Sequence, residues 1–405
     1  MHNTRYDGIL RTATYHHSLD SINKMKSILN IISLLISTSL VGQQHPYGLK
    51  FSHEIQIGIK EESIRSSTAG TLLSFIGDYY NSVKYSEIKT SWGVDTLDLN
   101  HYEIASAFEK IVEKAKQYKV VIISENHLKP QHRVFTKNII VALGGMGFNQ
   151  LGMEALSPID TLLEERGYPL NHPMSGVYTM EPQMNKLVIS ALDADINLFA
   201  YEAIERDKTR DRDEIQADNI IKHIRSNPDS KFIILCGFHH VIESDLIKRG
   251  NSYWMAKYIK DKTGIDPLTI YQDNFTEKFK ENEHPVLRTL TIEEPSVFIN
   301  VKGEIPRLTK QVDIEVIHPK TYTINGRPNW LYERDSESIE IEKDNNLGYP
   351  QIVSAYRTGL TDSVPFDQIE LNHKYDNKLL VLEPGNYRIK ITDGQNEHEY
   401  IQHVK

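Results

Sequence analysis

The sequence predicts an α/β protein: a mostly parallel central sheet flanked by helices, followed by a C-terminal antiparallel β-rich domain. Three observations lead there. Between about residues 103 and 271, short β-branched runs alternate with stretches of helical apolar spacing. The runs themselves, such as Val120-Val121-Ile122-Ile123, are apolar on both faces, which suits strands covered on both sides. After about residue 290 helical spacing fades, and short alternating runs separated by turn residues replace it.

Taken in order, Glu103 to Tyr118 places Ile104, Ala107, Phe108, Ile111, Val112 and Ala115 at helical spacing and leads into the strand at Val120. Helical stretches from about Gln131 to Leu143, Gln183 to Leu192 and Arg212 to Arg225 precede strands at Phe148 to Met153, Ile196 to Tyr201 and Phe232 to Cys236. A strand at Leu268 to Tyr271 closes this sheet. Near the C-terminus, Leu379 to Leu382, the turn Glu383-Pro384-Gly385-Asn386 and the alternation of Tyr387, Ile389 and Ile391 predict a β-hairpin with one buried face.

The expected divisions are an extension at 1–24 ahead of a true start at Met25, a signal peptide at 25–42, and an α/β catalytic or ligand-binding domain at 43–290. A connecting β segment at 291–330 and a small β domain at 331–405 follow. The signal is read from Lys26, the apolar stretch Ile28 to Ile36 and the small residues up to Gly42. That stretch is too short to cross a bilayer, so the expectation is an exported protein, periplasmic or secreted, with no stable membrane span once the signal is removed.

At 405 residues and 39% hydrophobic content the chain can bury a sizeable core. Its formal net charge of −9 excludes a surface built to hold nucleic acid. The single cysteine, Cys236, lies in an apolar run, rules out an internal disulfide and reads as a small buried hydrophobe. Neither a Gly-x-Ser-x-Gly elbow nor a P-loop is present.

Ligands of open parallel sheets bind beyond the carboxyl ends of the strands, where loops and helix N-termini converge. Here those ends carry Glu125 and His127, Glu154, Glu202, and His239 with His240. Carboxylates and imidazoles gathered at one edge suit acid–base catalysis, or a divalent transition metal held by His127, His240 and Glu125. Ser124-x-x-His127 and Gly237-x-x-His240 repeat one spacing. His132 either joins the cluster or caps the next helix. Arg212 is placed to hold a substrate anion or an oxyanion, and Asp213 to orient a histidine.

With these residues on the page, the chain resembles the superfamily of erythromycin-esterase-like proteins, ChaN-like haem-binding lipoproteins and Tiki/TraB proteases. The resemblance spans roughly residues 100–272 and rests on Glu125-x-His127, Gly147-Phe148 with Met153-Glu154, Tyr201-Glu202, Arg212-Asp213 with Ala217 and Asn219, and Gly237-x-x-His240. The esterase-like branch implies metal-independent hydrolysis with His127 as base, oriented by Glu125 and Glu154; its usual glutamate–histidine spacing is one residue longer than here. The Tiki-like branch implies a metalloprotease and has glycine where this chain has Ser124. The ChaN-like branch implies haem or iron binding through His127 and His132. The expectation is therefore a hydrolase of an ester, amide or peptide bond in a small-molecule or peptide substrate, with Glu125, His127, Glu154 and Arg212 as catalytic residues. Glu202, Asp213, His132 and His239 stand behind them, and a haem- or iron-binding protein is the alternative.

Overall fold

Eight strands form one sheet in the order β1-β7-β8-β6-β2-β5-β3-β4. In chain order they are β1 Glu103–Ser106, β2 Val120–Glu125, β3 Phe148–Met153, β4 Asn197–Ala200, β5 Lys231–Gly237, β6 Leu268–Phe275, β7 Ser296–Ile299 and β8 Ile314–Ile317. The structure is a computed structural model that describes residues 47–85, 99–202, 209–246, 248, 252–278, 283–342, 344 and 346–405. The signal peptide expected at 25–42 and the extension before it lie outside the described residues. Among the described residues no helix is long and apolar enough to cross a membrane.

β8, β6, β2, β5, β3 and β4 run parallel, while β7 pairs antiparallel with both β8 and β1. The β-branched runs explain the layering, because successive side chains of a strand leave on opposite faces. Val121 and Ile123 meet Ile111, Phe135, Ile139 and Leu187 on one face. Val120 and Ile122 meet Ile220, Ile221, Ile224 and Ile259 on the other. Helices Ala107–Ala115, Pro130–Gly144 and Pro182–Asp193 thus cover the first face, and Arg212–Ser226 and Met255–Thr263 the second.

After β4 the chain turns back, and β5 inserts between β2 and β3. That reversal opens a crevice at the carboxyl ends of these three strands. Parallel register sets Glu125 beside Gly237 and Met153 beside Leu235, so the residues that follow the strands emerge at one level.

Several expectations change. Glu103–Ser106 is strand β1 and not the start of a helix; it pairs with β7, whose partner residues lie almost two hundred positions away. β6 does not close the sheet, because β8, β7 and β1 extend beyond it. The segment expected to connect domains therefore contributes two strands to the main sheet. The hairpin around Glu383 is also absent: β14 (Leu380–Leu382) pairs with β11 (Glu337–Ile339). β15 (Gly385–Thr392) instead joins β12 (Gln351–Arg357) and β16 (Glu397–Val404), with β13 (Asp367–Leu371) completing a four-stranded antiparallel sheet. Tyr387, Ile389 and Ile391 do share its buried face. A short hairpin, β9 (Thr323–Ile324) to β10 (Arg327–Pro328), turns through Asn325 and Gly326 at φ 48° and 73°, the positive values an Asn-Gly turn supplies at low cost.

The first helices, Ser52–Lys60, Ser66–Phe75 and Tyr79–Val83, dock on this C-terminal region. Gln368 Nε2 donates to the Phe75 carbonyl at 2.9 Å, and the Ser52 N–H donates to Glu370 Oε1 at 2.8 Å. A buried pair, Arg327 and Asp367 at 2.7 Å, ties β10 to β13.

Candidate active site

Glu125 is the last residue of β2 and is buried, so its charge needs partners. Its Oε1 accepts from His127 Nδ1–H at 2.9 Å, and its Oε2 accepts from Arg133 Nε at 2.6 Å. Burial alone would raise the Glu125 carboxyl; Arg133 and His127 overcome it and hold the pKa at about 2. The loop that carries His127 is shaped by Asn126, whose Oδ1 accepts from the Leu128 N–H and whose Nδ2 donates to Asp273. The imidazole is stacked on Tyr178 with ring centroids 4.2 Å apart and meets the Phe238 ring edge-on.

A second carboxylate–histidine pair faces it. Asp213, in the first turn of the Arg212–Ser226 helix, places Oδ1 2.5 Å from His240 Nδ1. The same oxygen accepts from the Met255 N–H at 2.9 Å, and Lys248 pairs with Oδ2. Arg212 Nη1 lies 3.2 Å from His240 Nε2, which accepts from the guanidinium whenever Nε2 is unprotonated. Burial pulls the His240 pKa down, but Asp213 and Glu154 carry it above the ordinary histidine value.

Glu154, directly after β3, stands between the two pairs. Its Oε2 accepts from the Gly237 N–H at 2.6 Å; its Oε1 accepts from Arg212 Nη2 at 2.5 Å and lies 3.8 Å from His240 Nε2. Burial would raise this carboxyl too, yet His240, His127 and Arg212 hold it at about 2. Gly237 shows how tightly the groups converge. A Cβ there would lie 2.5 Å from His127 Nε2 and 3.1 Å from Glu154 Oε2. Gly237→Ala is therefore expected to push the imidazole aside and cut turnover by about 10²-fold, with a melting curve only modestly lowered. Steady-state kinetics beside a thermal melt would check this, and unchanged kinetics would show that the imidazole yields freely.

Arg212 is bolted in place. Its Nε donates to Glu202 Oε1 at 3.2 Å, its Nη2 is shared between Glu154 and Glu202, and Gln216 Nε2 also donates to Glu202. Among the described residues one Nη1 N–H is left over, and the side chain is 42% exposed against 9% for Glu154, so the crevice opens on the arginine side.

His132 and His239 do not join the cluster. His132 is fully buried in the first turn of the Pro130–Gly144 helix; its Nδ1 accepts from the Asn126 N–H, its Nε2–H faces Thr276, and its ring stacks on His318. It is a core histidine turned away from the crevice, so the haem reading loses its second ligand. His239 packs against Trp254 and Tyr271, and burial holds its pKa at about 4.

The metal reading does not fit these side chains. Glu125 spends both oxygens on His127 and Arg133, and the Arg212 guanidinium already provides the positive charge between His240 and Glu154. Among the described residues no group of three or more His, Cys, Asp or Glu side chains is arranged to hold a metal ion.

Two residues absent from the sequence reading complete the site. Arg133 is 1% exposed and forks from Glu125 to Glu181 Oε2 at 2.9 Å and to the His127 carbonyl at 2.9 Å. Glu181 caps the Pro182–Asp193 helix through the Met184 N–H and also accepts from the Tyr79 hydroxyl. Glu181-Pro182 was a legible helix start; nothing marked Arg133. Cys236 is buried with its thiol pKa pushed up by burial, which removes the chain's cysteine as a nucleophile.

No protein-family model and no curated protein matches the chain. Among solved structures it is similar to the type III effector HopBA1 at 13% identity, over 53% of this chain and 94% of that one, with a TM-score of 0.32. RRSP, a MARTX toxin effector domain from Vibrio vulnificus CMCP6, is 17% identical over 44% of this chain and 41% of its own, with a TM-score of 0.27. The C-terminal region of Pasteurella multocida toxin, described as having a thiol-protease like catalytic triad, is 13% identical over 83% of this chain and 54% of its own, with a TM-score of 0.28. Likeness at this level carries no argument about activity.

Proposed function

We propose that the protein is an exported, metal-independent hydrolase of an ester, amide or peptide bond, with two carboxylate–histidine pairs as its acid–base machinery. The observation that carries this reading is the division of Glu154: one oxygen faces Gly237 and His127, the other Arg212 and His240. Both imidazoles are thereby directed to one spot. Each has its Nδ1 fixed by a carboxylate, the arrangement that sets tautomer and orientation for proton transfer through Nε2.

In this mechanism His127 Nε2 takes a proton from a water molecule, which attacks the carbonyl carbon. Glu125 stabilises the imidazolium that forms. The spare Nη1 N–H of Arg212 meets the oxyanion, and His240, protonated in the loaded enzyme, gives its proton to the departing oxygen or nitrogen. Acid and alcohol or amine are released; His127 then gives its proton to solvent and His240 takes one up from solvent, which restores the base and the acid. The resemblance to erythromycin-esterase-like proteins supports the same assignment of His127, Glu125 and Glu154.

The test is turnover of a panel of chromogenic esters, anilides and peptides by the full chain, with and without EDTA, across pH. Turnover that survives EDTA is expected; no turnover of any member would overturn the proposal. Asp213→Asn adds a signed prediction. The Asp213 carboxylate favours the charged form of His240, so its removal lowers the His240 pKa. A rate that needs His240 protonated falls as pH rises through that pKa, so the alkaline limb of the pH–rate profile moves to lower pH. An unmoved limb would remove His240 from the acid role.

A further inference from the structure

Between β5 and the Met255–Thr263 helix the chain brings Lys248 against the second carboxylate–histidine pair. We propose that Lys248 is a positioning residue for His240: acting through Asp213, it sets how firmly the imidazole holds its proton. The consequence for catalysis rests on the acid role given to His240 above; the effect on the proton itself rests on the geometry alone.

The two oxygens of Asp213 are divided. Oδ1 takes His240 Nδ1 and the Met255 N–H, and Oδ2 takes the Lys248 ammonium. The same ammonium donates to Asp211 Oδ1 at 2.8 Å. Ser252 closes the loop, its hydroxyl donating to Asp211 Oδ2 at 3.1 Å and its carbonyl accepting from the Lys248 N–H at 2.7 Å. The Lys248 side chain is 13% exposed, and its Nζ stands 5.0 Å from the centre of the Trp254 ring. That indole also meets the His240 ring at 82°, with centroids 6.1 Å apart. An ordinary surface lysine gains little from an ion pair, because it must give up its rotamer freedom. Here two carboxylates, an aromatic face and a backbone bond hold one lysine in place.

Burial alone would lower the Lys248 pKa; Asp211 and Asp213 carry it above the ordinary lysine value, so the side chain is charged. Burial would likewise raise the Asp213 carboxyl, yet His240 and Lys248 hold it below its ordinary value. His240 and Lys248 therefore share one anion, and each weakens the other's hold on it. An imidazolium beside such a divided carboxylate releases its proton more readily than one beside an undivided carboxylate.

Other charges also face His240. Arg212 and Glu154 act on it directly, and its neighbour His239, with a pKa of about 4, is neutral. The elements packed around this turn carry Glu125 on β2, paired with Arg133, and Asp273 on β6, paired with Lys129 and Lys278. The Met255–Thr263 helix carries Lys260, paired with Glu243. All of these groups stay when Lys248 is replaced. The sign of the effect therefore follows from Lys248 itself and not from a sum over the site.

The test is Lys248→Met in the full chain. The His240 imidazole is titrated by NMR, with its signal assigned through His240→Gln, and the pH–rate profile is recorded on the substrate panel. Without the ammonium, His240 is expected to titrate at higher pH. A rate that needs His240 protonated falls as pH rises through that pKa, so the alkaline limb moves to higher pH, opposite to Asp213→Asn. Lys248→Arg keeps the charge and is expected to restore the wild-type midpoint. Lys248→Gln keeps a donor for Asp213 without the charge; it should shift upward too, and it serves if the methionine variant fails to fold. A lysine that merely braces the chain would lower the melting temperature and leave the NMR midpoint unchanged, or lower it as Asp213 loosens. Either result would overturn the proposal. If no substrate is turned over, the hydrolase reading falls and the NMR titration alone decides the role of Lys248. An NMR midpoint that rises while the alkaline limb stays would uphold Lys248 and remove His240 as the acid.

Discussion

Arg133→Met is expected to destabilise the fold by about 3–5 kcal/mol, measured as a lowered urea midpoint at unchanged slope. The guanidinium is 1% exposed and is the cation paired with two carboxylates, Glu125 and Glu181, that are 2% and 0% exposed. Methionine fills much of the space but leaves both acids without their cation. Arg133→Lys is expected to recover only part of the loss, because an ammonium cannot span Glu125 and Glu181 with the planar fork that arginine presents. In both variants the Glu125 pKa rises towards its ordinary value, since Arg133 is the strongest of the influences that lower it. A loss below about 1 kcal/mol in Arg133→Met would mean that water reaches the fork and that the site is less enclosed than its geometry implies.

His127→Ala is expected to lower kcat/KM by roughly 10²–10⁴-fold on whichever ester or amide is turned over, with little change in stability. The imidazole touches the crevice through Nε2, and no other group of the described residues replaces it beside Gly237. Glu125→Gln separates orientation from basicity. Glutamine can accept from His127 Nδ1 but not stabilise the imidazolium, so kcat should fall while KM holds. It also leaves Arg133 with one anion fewer, so a melting curve must accompany the kinetics. Full activity in His127→Ala would end the assignment of the first pair.

Much of the sheet was legible because its central strands are apolar on both faces. Val120 to Ile123 could be placed from composition alone; reading strand ends first brought Glu125, His127, Glu154, Glu202 and His240 within one crevice, with His239 beside them turned onto Trp254 and Tyr271, and the helix start after Glu202 added Arg212 and Asp213. What failed was non-local or very short. Glu103–Ser106 becomes a strand only because Ser296–Ile299 pairs with it, and the helical spacing of Ile104, Ala107 and Phe108 ran through it undisturbed. Leu380–Leu382 and Gly385–Thr392 look like two arms of one hairpin, yet each has a better partner in another segment. His132 lay at the right spacing for the crevice, but the Asn126 N–H captures its ring on the far side. Arg133, with Lys137 one turn on, resembles an ordinary solvated helix face, because charge in a sequence does not reveal whether its partners are buried.

The docking of the first helices on β13 constrains the order in which this protein can be completed. The bonds from Phe75 to Gln368 and from Ser52 to Glu370 span 293 and 318 positions. During synthesis Ser52 and Phe75 emerge early, and these two bonds can form only after Gln368 and Glu370 have followed. Closure of this seam is therefore a late, long-range event in folding. Tyr79 opens the third of those helices and its hydroxyl donates to Glu181, so the acid–base centre would gain its full support only when that seam closes.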